Sequence, residues 1–371
     1  MCAKPRVVVA MSGGVDSSLT AALLVRQGYD VIGATMQIWE DGIPDNNEEE
    51  HQGCCSLSAV SDARRVADKI GIPHYVLNFR KLFQDKVVDY FIDEYSAGRT
   101  PNPCIACNRH VKFEGFLTKA LALDAQYVAT GHYARIGFDA ASGRYTLCKG
   151  VDKSKDQSYA LYHLTQKTLQ HFLMPLGEYT KVQTREMARE FDLAVADKPD
   201  SQEICFVPDD DYGAFLAERA PASLKPGRIV DTNGVVLGQH KGLPLYTVGQ
   251  RKGLGIAAGK PLYVVALDYD KNEVVVGANS EVFAHSLIAG DLNFISVDHL
   301  EKPITLQAKI RYHAPDATAH LTPRGDGTVE VHFDQPQRAI TPGQSIVFYE
   351  NDCVFGGGII RNMIKSSTLR A

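Results

Sequence analysis

The sequence predicts an α/β protein in which a parallel-sheet domain is followed by a small helical domain and a β-barrel domain. In the first half, apolar β-branched runs alternate with segments of helical length, the pattern of βαβ units. From Gly227 onward, short segments alternate between apolar and polar residues and end in turn residues, which is typical of a sandwich or barrel. We therefore predict three domains, over residues 1–165, 166–225 and 226–371.

The elements of the first domain follow from its apolar runs. The predicted strands are Val7–Met11, Val31–Met36, Tyr75–Leu77 and Tyr127–Thr130. The predicted helices between and after them are Asp16–Gln27, Leu57–Ile70, Leu82–Tyr95 and Val111–Leu123. The acidic stretch Glu40–Gly53 interrupts this rhythm, and its composition predicts a mobile surface loop. Two further helices are predicted within Thr165–Phe191.

Composition excludes several classes of protein. A hydrophobic content of 44% and a charged content of 22% are ordinary for a soluble domain. No apolar run approaches the roughly 20 residues of a membrane span, and the N-terminus does not have the pattern of a secretory signal. We therefore expect a cytoplasmic protein without a membrane partner. The net charge of -5 counts mildly against a nucleic-acid partner, although a local basic patch can outweigh the average.

The cysteines are unevenly placed along the chain. Eight cysteines in a protein expected in the cytoplasm do not predict a disulfide framework. Cys104 and Cys107 form a C-x-x-C pair, and Cys205 lies alone among polar residues. No role is predicted for the others, which are Cys2, Cys54, Cys55, Cys148 and Cys353.

The stretch "AMSGGVDSS" runs from the end of a predicted strand into the start of a predicted helix. Gly13 and Gly14 let the backbone turn tightly and approach a ligand. Asp16, Ser17 and Ser18 follow in the first helical turn, where unpaired N–H groups and the helix dipole favour a phosphate. The stretch lacks the lysine of a Walker A loop and the spacing of a G-x-G-x-x-G loop. A simple strand-to-helix turn with Asp16 as a cap would not need this many glycines and hydroxyls.

"SGGVDSS" resembles the pyrophosphate-binding loop of the ATP pyrophosphatases, which split ATP between the α and β phosphates and adenylate a substrate. The resemblance implies that ATP and Mg²⁺ bind here, that Ser12 to Ser17 hold pyrophosphate, and that Asp16 helps to place Mg²⁺. Met36 and Gly131 match positions that contact the adenosine part. The nucleotide-binding residues implied in this way are Ala10, Met11, Ser12, Gly13, Gly14, Val15, Asp16, Ser17, Met36 and Gly131. The loop alone does not choose among thiolation, amidation and condensation.

Further motifs narrow that choice. "GRTPNPCIACNRHVKF", "KDQSYALYHL", "DSQEICFV" and "YTVGQRKGLG", in this order, resemble tRNA-specific 2-thiouridylases over essentially the whole chain. The family transfers sulfur to the wobble uridine of certain tRNAs. Alignment on "PNP" and "CN" places the family's first cysteine at Cys107, and Cys205 matches the cysteine that carries the persulfide. Cys104 stands where the family often has an aspartate near the target base, so a thiol takes the place of that carboxylate here.

The chemistry of thiolation agrees with two cysteines and one ATP site. A carbonyl oxygen of uracil must become a leaving group, which adenylation achieves, and a cysteine persulfide can supply the sulfur nucleophile. A second thiol can release that sulfur by forming a disulfide. Cys104, Cys107 and Cys205 can also be read as three thiolate ligands of an iron–sulfur cluster or another metal. A third reading gives the C-x-x-C pair no role.

The expected partners are tRNA and a persulfide sulfur donor or sulfur-carrier protein. By resemblance, the tRNA-contacting positions are Asn102, Pro103, Cys104, Lys155, Asp156, Gln157, Arg311 and Tyr312. Basic residues grouped beside the motifs would neutralise RNA phosphates. Two alternatives remain at this point: another adenylating ligase of the argininosuccinate-forming or amidotransferase type, and a nucleotide- and RNA-binding module without catalysis. The first does not require paired cysteines, and the intact loop and cysteines speak against the second.

Overall fold

A computed structural model of the protein describes residues 4–38, 57–200, 204–207, 209, 211–256 and 258–364. The predicted loop at Glu40–Gly53 and the residues Cys2, Cys54 and Cys55 lie outside these ranges. Within the described ranges, no helix is long and apolar enough to cross a membrane.

The chain divides into two compact units. The described residues of 1–88, 103–210 and 352–354 form the first unit, and those of 89–102, 211–351 and 355–371 form the second. The predicted division at residues 165 and 225 stays a prediction.

The first unit is built around a parallel sheet. Its strands are β1 (Arg6–Ala10), β2 (Asp30–Gln37), β3 (His74–Asn78), β4 (Tyr127–Ala129), β5 (Ala134–Asp139), β6 (Arg144–Lys149) and β7 (Phe172–Leu173). Five of them form a parallel sheet in the order β3-β2-β1-β4-β7, whereas β5 and β6 form an antiparallel hairpin. Val7, Val8 and Val9 are completely buried, as a central strand covered on both faces requires. The predicted parallel-sheet domain is confirmed.

Helices cover this sheet. Those of the first unit are α1 (Val15–Arg26), α2 (Leu57–Ile70), α3 (Arg80–Phe83), α5 (Pro103–Ala106), α6 (Phe116–Leu121), α7 (Gln166–Leu169) and α8 (Lys181–Glu190), and α4 (Asp89–Ser96) belongs to the second unit. A π-helical segment, Gln84–Val88, follows α3, and another, Cys107–Gly115, joins α5 to α6. Alanines of α1, α2 and α8, which are Ala21, Ala63 and Ala188, pack in one core with Val7 and Val9 of β1.

The helix that carries the C-x-x-C pair begins earlier than the sequence predicts. The predicted start is Val111, but the helix begins at Pro103 and continues through Cys107–Gly115 into α6. Proline is favoured in the first helical turn, because its missing N–H has no helical partner there. Cys104 and Cys107 therefore lie on a helix, with the buried Ile105 between them.

The second unit is mainly β-sheet. It contains α9 (Tyr212–Arg219) and a four-stranded sheet of β8 (Gly227–Asp231), β9 (Val236–His240), β10 (Tyr263–Asp268) and β11 (Glu273–Gly277). The following strands are β12 (Phe283–Phe294), β13 (Ile304–Lys309), β14 (Ala317–Pro323), β15 (Val329–Arg338), β16 (Ser345–Glu350) and β17 (Cys353–Ile364). Strand β12 pairs with both β15 and β17, which closes β12–β17 into a barrel around Leu321, Phe333 and Phe348. The predicted C-terminal barrel is confirmed.

A disulfide joins two cysteines for which the sequence predicts no role. Cys148 of β6 lies opposite Cys353, the first residue of β17, and the two form a disulfide within the first unit. The Lys149 N–H donates to the Asp352 carbonyl oxygen at 2.8 Å beside them. The expectation of no role is therefore wrong for this pair. A separation of 205 residues gives no local signal that the two strands meet.

Candidate functional site

The glycine loop follows the central strand of the sheet. Residues 11–14 connect β1 to α1, and Gly13 has a φ of +69°. A Cβ atom at Gly13 would overlap the backbone carbonyl oxygen of Ala59 in α2. Only glycine fits this position, because both the backbone conformation and the space forbid a side chain.

The N-terminus of α1 has no side-chain cap from its own residues. Gly14 is the N-cap, and none of the described side chains caps the helix. The first amide groups of the helix therefore remain available to an anion. The Ser12 N–H donates to the Ser17 Oγ at 3.1 Å, which fixes the turn of the loop. The Ser18 Oγ is buried without a hydrogen-bond partner among the described residues.

The residues predicted to contact the nucleotide gather at one edge of the sheet. β1, β2 and β4 are parallel neighbours, and Ala10, Met36 and Gly131 lie at or just beyond their carboxyl ends. The strand order reverses between β1 and β4, which is where open parallel sheets bind ligands. A Cβ atom at Gly131 would lie 2.9 Å from the Ser17 nitrogen, so the absence of a side chain lets this segment approach the start of α1.

Asp16 is held by two residues that the sequence reading missed. The Lys181 Nζ donates to both carboxylate oxygens at 2.8 Å, and the Tyr133 hydroxyl donates to Oδ1 at 2.7 Å. Burial and the neighbouring Asp16 carboxylate raise the pKa of Tyr133, so its phenol stays protonated and donates. Tyr133 lies in the "ATGHYAR" stretch that also holds Gly131, whereas Lys181 has no local motif.

Asp200 is a second carboxylate in the same group of charges. The Lys155 Nζ and the Lys181 Nζ both lie 2.8 Å from its carboxylate oxygens, and the Arg185 guanidinium donates at 3.1 Å. Burial opposes ionisation, but the hydrogen bonds from Lys155 and Lys181 outweigh it and lower the pKa of Asp200. Asp200 opens the "DSQEICFV" motif, which could have marked it.

The two cysteines expected to react both belong to the first unit. Cys107 begins the π-helical segment Cys107–Gly115 and is half-exposed. Cys205 is also half-exposed, and it precedes the buried residues Phe206 and Val207. The Phe206 ring packs edge-on against the Phe83 ring at 5.7 Å, which anchors the segment that bears Cys205. Cys104 is exposed.

The metal-ligand reading of the cysteines has no support. Within the described residues, which include Cys104, Cys107 and Cys205, no three His, Cys, Asp or Glu side chains form a group that could hold a metal ion. The C-x-x-C spacing therefore does not assemble a three-thiolate site with Cys205.

The residues expected to contact tRNA are distributed over both units. Lys155, Asp156 and Gln157 belong to the first unit, as do Pro103 and Cys104. The Asp156 carboxylate accepts from the Gly150 and Ser158 backbone N–H groups, and the Gln157 side chain accepts from the Tyr133 N–H.

The remaining expected contacts, Asn102, Arg311 and Tyr312, belong to the second unit. The Arg311 guanidinium donates to the Ala339 carbonyl oxygen at 2.9 Å and to the Thr341 Oγ1 at 2.8 Å. Arg311 thus stabilises the structure of the second unit through these hydrogen bonds.

Comparison with known proteins covers nearly the whole chain. Residues 5–209 match a family model described as a tRNA methyl transferase HUP domain. Residues 213–278 match a tRNA methyl transferase PRC-barrel domain, and residues 284–360 match an aminomethyltransferase beta-barrel domain. The first match covers the glycine loop, Cys107 and Cys205.

Close relatives carry a more specific name. The tRNA-specific 2-thiouridylase of Acetivibrio thermocellus is 60% identical over 361 residues, which span 96% of this chain and 99% of the relative. The same enzyme of Carboxydothermus hydrogenoformans is 58% identical over 361 residues, or 97% of this chain and 99% of the relative. Among solved structures, the NMN synthetase of Francisella tularensis is 15% identical with a TM-score of 0.32 over 54% of this chain and 67% of its own, too low to carry an argument. On the strength of these full-length identities, the chain belongs to the tRNA-specific 2-thiouridylase family.

Proposed function

We propose that the chain is a tRNA-uridine 2-sulfurtransferase that adenylates the wobble uridine with ATP and replaces its 2-oxygen by sulfur. The observation that carries the proposal is the presence of an open, glycine-built helix N-terminus and two half-exposed cysteines in one compact unit of a chain 60% identical to a thiouridylase. The matched family model is described by methyl transfer, whereas the relatives that are 58% and 60% identical are named thiouridylases. In this proposal the ATP site lies within residues 1–165, and residues 226–371 bind the tRNA.

The first step uses the glycine loop. The uracil 2-oxygen attacks the α-phosphorus of ATP, and pyrophosphate leaves toward the N–H groups that Gly14 leaves uncapped. Asp16 is suited to coordinate the Mg²⁺ that binds together with ATP, because hard cations prefer carboxylate oxygens. Both of its oxygens accept hydrogen bonds from Lys181, so the ion would bind Asp16 beside that ammonium.

The second step uses the two cysteines. The outer sulfur of a Cys205 persulfide attacks C2 of the adenylated uracil, and AMP leaves with the oxygen. The Cys107 thiolate then attacks the Cys205 Sγ, so that a Cys107–Cys205 disulfide forms and the outer sulfur stays on the base with the bond electrons. The sulfur is reduced as the two cysteines are oxidised. An external thiol reductant and a persulfide donor protein would restore Cys205 for the next cycle.

The proposed tRNA contacts combine charge and hydrogen bonding. Lys155 would neutralise a phosphate, and Tyr312 offers a ring on which a splayed base can stack. Cys104, at the position where an aspartate is common, would face the target base from the exposed side of the helix. We propose that the reaction takes place in the cytoplasm, where its tRNA substrate is modified.

The test is thiolation by purified protein given ATP, tRNA and a persulfide donor. We expect pyrophosphate release together with 2-thiouridine, detected by mass analysis of the nucleosides. Cys107→Ser and Cys205→Ser should release pyrophosphate without thiolation, because they act after adenylation. Cys104→Ser is the matched control and should retain measurable thiolation, since the relay needs only the other two cysteines.

Two results would contradict the proposal. ATP cleavage with tRNA that yields no 2-thiouridine in the wild type and is unaffected by Cys205→Ser would favour another adenylating ligase, which needs no persulfide. The absence of any ATP consumption with tRNA would favour a binding module without catalysis.

A further inference from the structure

Four charged side chains of the first unit form a continuous chain, which we call the charge chain: Lys155, Asp200, Lys181 and Asp16. Each successive pair is separated by 2.8 Å between nitrogen and oxygen. Arg185 adds a third cation, 3.1 Å from Asp200. The charge chain therefore connects a proposed tRNA contact at one end to the proposed Mg·ATP ligand at the other.

Lys181 is the central link of the charge chain. Its residue is only 9% exposed, and its ammonium lies 2.8 Å from three oxygens, two of Asp16 and one of Asp200. An ammonium has three protons, so these acceptors use its whole donor capacity. The Lys181 ammonium therefore holds the carboxylates of Asp16 and Asp200 at a fixed separation. Without this cation the two negative charges would repel each other where little solvent screens them.

Asp200 connects the start of the motif that contains Cys205 to the charge chain. It lies five residues before Cys205 in the "DSQEICFV" motif. On the other side of Cys205, Phe206 is buried against Phe83. Asp200 and Phe206, which flank Cys205 in the sequence, are thus each held in place, Asp200 by ion pairs and Phe206 by packing. Asp200 is attached, through Lys181, to Asp16 in the first turn of the ATP-binding helix.

We propose that Asp200 and Lys181 are positioning residues that hold the start of the "DSQEICFV" motif beside the ATP loop, so that adenylation and sulfur transfer occur on the same bound uridine. The proposal rests on the proposed function. It predicts that a loss of charge at Asp200 separates the two half-reactions, because pyrophosphate still forms at the loop while Cys205 no longer lies where the adenylated base is presented. A merely structural role would lower both rates together.

The test compares Asp200→Asn with Asp197→Asn. Asparagine keeps the shape and one acceptor oxygen at position 200 but removes the charge. Asp197 lies three residues away in an exposed ion pair with Arg189, so its variant is the matched control. We expect the yield of 2-thiouridine per pyrophosphate to fall at least five-fold in Asp200→Asn, with pyrophosphate release within three-fold of the control. Asp200→Glu, which keeps the charge, should recover at least half of the wild-type yield.

A second measurement needs neither ATP nor tRNA. The rate of Cys205 alkylation by iodoacetamide, followed by peptide mass analysis, should change at least five-fold in Asp200→Asn, because one anchor of the motif is lost. A yield per pyrophosphate and an alkylation rate that both stay within two-fold of Asp197→Asn would overturn the inference while leaving the function intact. Failure of the proposed function would instead appear in the wild type, as the absence of 2-thiouridine.

Discussion

At the scale of single residues, Asp16 combines what a sequence reveals with what it hides. Its place after two glycines at the start of a helix marks it as a nucleotide-site residue from the pattern alone. Its main partner, Lys181, is 165 positions away and belongs to a helix with no recognisable motif. Local patterns predict which residue is poised for chemistry, but only the packing of α8 against α1 determines what holds it.

Asp16→Asn should lower pyrophosphate release with tRNA at least about 100-fold, the scale of one lost charge-stabilising contact in a transition state. Asparagine is nearly the same size, so the fold should persist. The control is Asp30→Asn, which removes a carboxylate from a partly exposed pair with Arg6 in the same unit. A rate equal to that of this control would rule out Asp16 as a ligand of Mg·ATP.

His163 should make the first unit sensitive to mild acid. The residue is 7% exposed, and neither ring nitrogen has a hydrogen-bond partner among the described residues. Burial, followed by the nearby Arg109 charge, lowers the pKa of His163 well below its ordinary value of 6.5. Below pH 6.5, therefore, His163 binds a proton in the unfolded chain but not in the folded chain. The free energy of unfolding consequently falls as the pH falls.

His163→Leu removes this sensitivity. Between pH 7 and pH 5, urea unfolding should show a loss of free energy about 2 kcal/mol smaller in the variant than in the wild type. Between pH 7 and pH 8 the two proteins should respond alike, because the imidazole is neutral in both states. Equal losses below pH 6.5 would mean that the folded protein protonates His163 after all.

At the scale of elements, the glycine loop depends on the contact between two helices. Gly13→Ala should destabilise the protein more than Gly71→Ala, although both glycines have similar positive φ values, +69° and +74°. Gly71 has open space around it, and alanine there costs about 1 kcal/mol of conformational strain. At Gly13 the added methyl group must also displace Ala59 of α2, at a further cost of roughly 1–3 kcal/mol.

Urea unfolding of the two variants, with ATP binding as a second readout, checks this. ATP binding should weaken only in Gly13→Ala, because only there does the start of α1 shift. Equal destabilisation of both variants would show that α2 moves away from the added methyl group without a cost in folding free energy.

Periodicity predicted most helices and strands of the first unit, since their apolar runs are long and regular. It failed at α5, where prolines and a short polar stretch are typical of a loop. The helix forms there because Ile105, Val111 and Phe113 are buried by the rest of the unit. Tertiary packing outweighs local preference at this position, and it places both C-x-x-C cysteines on a helix.

At the scale of the whole molecule, the Cys148–Cys353 disulfide closes the longest covalent loop of the chain that the described residues show. Reduction should lower the free energy of unfolding by about 2–4 kcal/mol, because the unfolded chain regains the freedom that the cross-link removes. The measurement is urea unfolding with and without dithiothreitol. The double variant Cys148→Ser/Cys353→Ser is the control, and its stability should not depend on the reductant. An identical response of both proteins would place the redox sensitivity elsewhere.

Neither residue of this pair could be predicted, because a disulfide between distant strands follows from the register of β6 and β17 and from nothing local. The order of sheet domain and barrel was predictable, since each depends on repeated short-range patterns. The assignment of residues to compact units is harder to predict from the sequence. Residues 89–102 belong to the second unit although the chain on both sides of them belongs to the first, and the reverse holds for residues 352–354.

The same disulfide has a practical consequence for anyone who follows turnover by counting thiols. One turnover is proposed to consume two thiols at Cys107 and Cys205, and oxidation of Cys148 with Cys353 consumes two as well. Relative to the fully reduced protein, the intact mass is lower by two hydrogens in either case. A colorimetric titration or a whole-protein spectrum would therefore assign oxidation during storage in air to catalysis. Digestion between the four cysteines separates the two signals, and a Cys148→Ser/Cys353→Ser background turns the thiol count into a direct record of sulfur delivered to tRNA.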